Sequence, residues 1–300
     1  MHRTRCPWGC LVGLPALLLA HPAIAQDSTI VVTLGTGAPR PSPEAMGPAT
    51  AIVVAQRVFL VDAGTGVERR LAAARLPVTG VTALFITHLH SDHVLGLADL
   101  IFTSWVVGRS RPFPASGPAG LQRLTEHLYA AFEEDIRIRT EGLERESAAG
   151  YRIAVHEIGP GVVYDSGGVK VTAFLVPHGA WKQAFGYRFD TPDRSIVVSG
   201  DTRPSEELVR MASGVDVLVH EVQPSDSTAP PGSRTAAEWA AYVRAYHTTA
   251  LQLGELAARA RPKLLVVSHD GRRVPRAQIL ADIRRGWTGP VVMAEDLQRF

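Results

Sequence analysis

The stretch VTALFITHLHSDH (81–93) limits the fold more than any other. A β-branched apolar run of this kind reads as a buried strand, and it stops against His88, His90, Asp92 and His93. Imidazoles and a carboxylate cannot enter a dry core without partners, so this strand has to end at an open rim. His88 and His90 stand at i and i+2, which on a strand end points both side chains the same way. Asp92 and His93 follow in the turn, and four donor groups converge on a small volume.

The same format recurs. VKVTAFLVPH (169–178), RSIVVSGDT (194–202), VDVLVHEV (215–222) and KLLVVSHD (263–270) are apolar runs that end in a histidine or an acidic residue. STIVVTLGTG (28–37) ends in a glycine turn, and TAIVVAQRVFLVDAGTG (50–66) reads as a hairpin closing on Asp62. Helical spacing is expected over 66–76, 94–107, 118–132, 205–213, 234–245, 248–261 and 275–285. Strands alternating with helices imply sheets flanked by helices, with the chemistry at one rim. The Pro/Ser/Gly-rich pieces 38–48, 109–120 and 223–234 read as loops.

The N-terminus MHRTRCPWGCLVGLPALLLAHPAIAQ has a basic start, a short apolar stretch and AIA before Gln26. It is expected to be a signal peptide of residues 1–25, followed by a single domain over 26–300 in the periplasm or outside the cell. Both cysteines, Cys6 and Cys10, fall in the leader. A mature chain without thiols can hold a metal only through histidine and carboxylate. Loss of Arg3 and Arg5 lowers lysine plus arginine from 31 to 29, equal to the 29 acidic residues. A formally neutral chain has no overall basic field for nucleic acid.

Imidazole with carboxylate is a ligand set for Zn²⁺, Mn²⁺ or Fe²⁺. The cluster needs partners from elsewhere, and His178, Asp201 and His269 sit at strand ends. Trp105, Arg109, Arg111 and Phe113 read equally as a pocket mouth or as packing with solvated arginines, and so do Trp181 and Lys182.

THLHSDH with a later His, Asp and His at strand ends resembles the metallo-β-lactamase superfamily, over nearly the whole mature chain. The resemblance implies an αββα four-layer sandwich of two mixed β-sheets flanked by helices. It also implies two divalent metal ions, zinc first and manganese or iron next. His88, His90 and His178 would hold one ion, Asp92, His93 and His269 the other, and Asp201 would bridge. VLVHEV with Glu221, AYHTTALQLGELAARA with His247, and GYRFD (186–190) are similar to the tRNase Z-like branch, which includes type III arylsulfatases and phosphodiesterases. There Glu221 and His247 would protonate the leaving oxygen, and Asp92 would orient the nucleophile. His220 would face the other way along its strand and be structural.

The expected activity is therefore an exported metal-dependent hydrolase of a small anionic phosphodiester or (aryl)sulfate ester. A lactonase or β-lactamase is the alternative, and an RNA endonuclease of tRNase Z type a further one. Export, the neutral charge, and a loop APRPSPEAMGP lacking the Arg-Asn of the RNA enzymes argue against nucleic acid as partner. So do the 23 positions from His178 to Asp201, too few for a tRNA-gripping arm. A homodimer is allowed, and no membrane partner is expected once the leader is removed.

Overall fold

Valine, isoleucine and phenylalanine runs build two seven-stranded sheets among the described residues, which are 28–225 and 234–300 of a computed structural model. The expected leader, 1–25, lies outside them. The first sheet holds β1 (Ile30–Gly35), β2 (Ala49–Val54), β3 (Arg57–Val61), β4 (Val81–Phe85), β5 (Phe113–Gly117) and β6 (Ile153–Glu157). The second holds β7 (Gly161–Ser166), β8 (Val169–Leu175), β9 (Phe185–Asp190), β10 (Ser195–Val198), β11 (Val217–Glu221), β12 (Leu264–Ser268) and β13 (Val291–Met293). The short β14 (Gln298–Arg299) returns to pair with β1. Strand order is β14-β1-β2-β3-β4-β5-β6 in one sheet and β13-β12-β11-β10-β9-β8-β7 in the other. Each sheet is mixed: β1 to β3 and β7 to β10 pair antiparallel, β3 to β6 and β10 to β13 parallel.

The sheets pack face to face through Ile52, Phe59, Phe85, Phe189, Ile196, Val219 and Val266, all buried. Phe85 and Phe189 meet edge to face at 5.6 Å, a geometry that adds to the area they bury. Outside the first sheet lie α1 (Val67–Ala73), α2 (Ser91–Val94), α3 (Gly96–Val106), α4 (Leu121–Ala131) and α5 (Glu133–Glu141). Leu71, Leu97, Leu100 and Leu121 pack on that sheet from helices α1, α3 and α4. The other flank carries α6 (Glu206–Met211), α7 (Ala236–Tyr246), α8 (Ala250–Ala260) and α9 (Arg276–Gly286). Leu208, Leu253, Leu256, Ile279 and Ile283 cover the second sheet from α6, α8 and α9. This is the expected four-layer sandwich.

Thr249 caps α8 with a reciprocal bond to Gln252, and Thr235 caps α7 with Glu238 in the same way. The 109–120 loop expectation is corrected: Phe113–Gly117 is an inner strand, β5, paired on both sides. Its Pro114 and Gly117 masked the strand signal. Trp105, Arg109 and Phe113 pack rather than line a mouth. Trp105 is fully buried and donates to the Ser147 carbonyl. Arg109 donates to the carbonyls of Thr79, Arg111 and Pro112, with its guanidinium 4.4 Å from the Phe113 ring centre.

At the end away from the ligating residues, Asp216 ties three parallel strands. It accepts from Ser195 N (2.8 Å) and Oγ (2.9 Å) at the start of β10 and pairs with Lys263 Nζ at 2.8 Å before β12. The Lys263 bond chiefly, with Ser195, holds its carboxyl down at about 2. The folded pKa lies below the ordinary ~3.9, so this stabilisation is full above about pH 4 and is lost as pH falls toward 2. Asp216→Asn is expected to cost about 1–2 kcal/mol at pH 7, after discounting for the exposed lysine. Denaturant midpoints should show the gap to the parent narrowing below about pH 4. A gap independent of pH would contradict this role.

Candidate metal centre

The ligating residues hang from the C-terminal ends of β4, β8, β10 and β12, on both sheets. His88, His90 and His93 follow β4, His178 follows β8, Asp201 follows β10 and His269 follows β12. All seven residues proposed from the sequence come together in two groups. His88, His90, His178 and Asp201 form one, and Asp92, His93 and His269 the other, with donor atoms within 4.8 Å inside each group. Asp201 stands between them: its carboxylate is 3.4 Å from His93 Nε2, 3.3 Å from His269 Nε2 and 3.9 Å from His178 Nε2. Asp92 Oδ2 lies 3.7 Å from Nε2 of both His93 and His269.

The outer hydrogen bonds decide which nitrogen faces in. His178 Nδ1 donates to the Tyr246 carbonyl (2.7 Å) and His269 Nδ1 to the Gly37 carbonyl (2.6 Å). His93 Nδ1 donates to Asp62 Oδ2 at 2.8 Å. His88 Nδ1 meets Thr87 Oγ1 (3.0 Å), which donates onward to Asp62. A carbonyl or carboxylate only accepts, so these rings carry a proton on Nδ1 and turn Nε2 inward. His90 is turned round, with Nδ1 facing His88 Nε2 (2.9 Å) and His178 Nε2 (3.1 Å), and Trp181 Nε1 donating to its Nε2.

That donor set fits divalent cations. Lone pairs and carboxylates 3–4 Å apart match ligands around ions with bonds of about 2.1 Å. Asp92 Oδ2 and His93 Nε2 are buried without a hydrogen-bond partner, a cost that coordination removes. Charge supports the grouping. Burial pushes His88 well below the usual histidine range, and burial with His178 takes His90 to about 4. Burial also opposes charge on His269, but Asp201 outweighs it and lifts that ring to about 9. Burial would raise Asp201, yet His269 and His93 hold it far below the carboxylate range.

Backbone strain sits at the same rim. Asp62 and His269 adopt left-handed backbone at φ 63° and 55°, a conformation uncommon for non-glycine residues. Gly200, at φ 60°, precedes Asp201, and a Cβ there would stand 2.7 Å from the Phe185 carbonyl oxygen. No larger residue fits that turn.

Beside the cluster lies the second motif. Glu221, the last residue of β11, accepts at Oε1 from His247 Nδ1 (3.1 Å), Thr202 N (3.1 Å) and Thr248 N (3.2 Å). The carboxylate is pinned, and it orients the imidazole. Burial opposes a charge on His247, but Glu221 outweighs it, so the ring stays protonated to higher pH than usual. Tyr242 Oη lies 3.1 Å from His247 Nε2. His220 faces away, as expected, with Nδ1 donating to the Glu221 carbonyl at 2.6 Å. A cavity of about 530 Å³ opens over these groups, lined by His90, Asp92, Asp201, His247 and His269 and by Arg40, Arg234, Trp239, Tyr242 and Arg273.

Sequence reasoning did not pick out Asp62 or Tyr242 as parts of the site; Trp181, read as either pocket mouth or packing, lies against the ligating His90. Asp62 had the right signal, an acidic residue ending a strand run. Tyr242 carried none, because only tertiary packing brings it to the histidines.

Residues 57–269 match the family model described as the beta-lactamase superfamily domain. Ribonuclease Z of Mycobacterium sp. strain KMS is 35% identical over 241 residues, covering 80% of this chain and 83% of that protein. Ribonuclease Z of Mycobacterium avium strain 104 is 34% identical over 278 residues, covering 90% and 96%. Among solved structures, the short form of human tRNase Z aligns with TM-score 0.67 and 24% identity over 90% of this chain and 98% of that one. A metallo-β-lactamase fold protein from Bacillus subtilis aligns with TM-score 0.71 and 16% identity over 91% and 98%. The two structures attest the fold.

The ribonuclease Z relatives overturn two expectations. Hydrolysis of a small phosphodiester or sulfate ester does not agree with them, and neither does the exclusion of nucleic acid as a partner. The physical error was to read net charge as surface charge. A formally neutral chain still gathers Arg40, Arg234 and Arg273 around one cavity. The short span from His178 to Asp201 is real, since β9 and β10 fill it as part of the second sheet.

Proposed function

This chain belongs to the β-lactamase superfamily, on its tRNase Z-like branch, and from that premise we propose that it is a metal-dependent endonuclease hydrolysing a phosphodiester bond of RNA. A tRNA-type precursor is the substrate to test first. The observation that carries the reading is the His247–Glu221 pair, 3.1 Å apart beside the ligand cluster. A ribose oxygen is a poor leaving group and needs a proton as it departs.

His88, His90 and His178 would hold one ion and Asp92, His93 and His269 the other, with Asp201 shared. Zinc is the proposed metal, and manganese or iron suits the same donors. Two divalent cations there supply Lewis acidity, which makes water nucleophilic near pH 7 and offsets phosphoryl charge. Asp92 Oδ2 would orient the attacking water. Protonated His247 would hold an Nε2 proton toward the leaving oxygen, with Glu221 fixing the ring from behind and Tyr242 aligning it. The leader read over residues 1–25 would carry this activity to the periplasm or beyond, and the RNA would be met there.

Asp62 organises the centre through His93 directly and His88 through Thr87. Asp62→Asn keeps a residue type that tolerates the left-handed backbone and removes the negative charge and one of the two acceptor oxygens that Thr87 and His93 use. It is expected to weaken metal affinity about 10–100-fold in chelator competition. Unchanged affinity would refute this role. The function itself is tested by incubating the metal-loaded protein with end-labelled structured RNA bearing a single-stranded 3′ tail, with a chelator-treated control. Discrete metal-dependent cuts support the reading. Intact RNA, under conditions where the metal sites are filled, rejects it.

A further inference from the structure

We propose that Arg234 and Arg273, held on the stacked rings of Trp239 and Tyr242, form an anion subsite in the wall of the cavity that takes a phosphate of the RNA strand beyond the scissile one. This rests on the RNA reading for its ligand.

The ring stack is the platform. Trp239 and Tyr242 lie one helical turn apart on α7 and stack at 5.2 Å between centres and 29° between planes. Tyr246 continues the stack below Tyr242 at 4.8 Å and 24°. The Arg234 guanidinium lies 4.5 Å from the Tyr242 ring centre and 5.8 Å from that of Trp239. Arg273, from the loop after β12, lies 4.5 Å from the Trp239 centre. Two loops thus bring two guanidinium groups onto one aromatic pair.

This arrangement selects an anion rather than a base. The aromatic faces are already taken by arginine, and Trp239 is only 8% exposed. A base would have to displace an arginine to stack on either ring. Guanidinium planes laid on rings lose little further freedom on binding, and their N–H edges match phosphate oxygens. Burial, with Arg40 nearby, holds Arg273 below the usual arginine range.

The same cavity explains why the phosphate would belong to a chain. Arg234 and Arg273 line it together with His90, Asp92, Asp201, His247 and His269. A strand whose scissile group sits over the ligand cluster runs along this wall. Tyr242 joins the two ends, since it carries Arg234 on its ring and meets His247 through its hydroxyl. The wall would supply grip that the short His178–Asp201 connection does not.

The test reads binding apart from cleavage. In a His247→Ala background, fluorescein-labelled RNA with a single-stranded 3′ tail is titrated by anisotropy from 50 to 300 mM salt. Arg234→Ala and Arg273→Ala are each expected to raise Kd about tenfold and to flatten the slope of log K against log salt by about 0.7. Arg234→Lys keeps the charge and loses the planar fork; it should retain the slope with intermediate affinity. Arg137→Ala, a distant arginine paired with Glu134 on α5, should leave both unchanged. Slopes for the two alanine variants equal to the parent's, or a parent that binds no RNA, overturn the subsite. Wild-type protein that binds RNA with these slopes but never cuts it leaves the subsite standing and removes the endonuclease reading.

Discussion

Asp201→Ala is expected to abolish RNA cleavage, lowering kcat/KM by at least about 10³-fold, because both halves of the centre share this carboxylate. Its oxygens lie 3.3–3.9 Å from Nε2 of His269, His93 and His178. The buried charge also compensates the histidines around it. Burial alone disfavours a charged His269, and Asp201 is what raises that ring to about 9. Removing one partner of such a network leaves the other uncompensated. Elemental analysis of the purified variant should therefore find fewer metal ions per chain than in the parent. A variant with full metal content and full turnover would show that Asp201 is a structural capping residue.

His247→Ala is expected to act on proton transfer and to spare the metals. Its Nδ1 is bound to Glu221, and its Nε2 faces Tyr242 and the cavity. Loss of a general acid typically costs about 10²–10⁴-fold, most where the leaving group is poor. RNA cleavage should fall by that amount with metal content intact. Bis-nitrophenyl phosphate, whose leaving group departs unaided, should lose much less. Glu221→Gln should fall between, since its carboxylate positions the ring and favours its protonated form. Equal losses on both substrates would argue that the pair shapes the pocket without moving a proton.

Much of the centre was legible because the chemistry sits in strand–turn junctions. HLHSDH, VPH, SGDT and VSHD each place a ligating side chain after an apolar run, and the strands must end at one rim for those side chains to be satisfied. The alternation of strands and helices showed the layers. Elements with weaker patterns were hidden. Strand β5 contains a proline and two glycine or serine positions, and α5 is a polar, charged helix with no buried face for periodicity to show. The aromatic wall was hidden for a different reason. Trp239, Tyr242 and Tyr246 have helical spacing that also describes a core stripe, and only the fold turns them toward His247. Substrate class was misread where an average stood in for a surface: net charge holds no record of where arginines gather.

The central claim is that the scissile bond belongs to RNA. The most direct measurement compares kcat/KM of one metal-loaded preparation on a tRNA precursor with a 3′ trailer, bis-nitrophenyl phosphate and nitrophenyl sulfate. Discrete cleavage of the precursor, with a kcat/KM well above that for either small ester, is the predicted result. Turnover of the small esters by a preparation that leaves the RNA intact would contradict it.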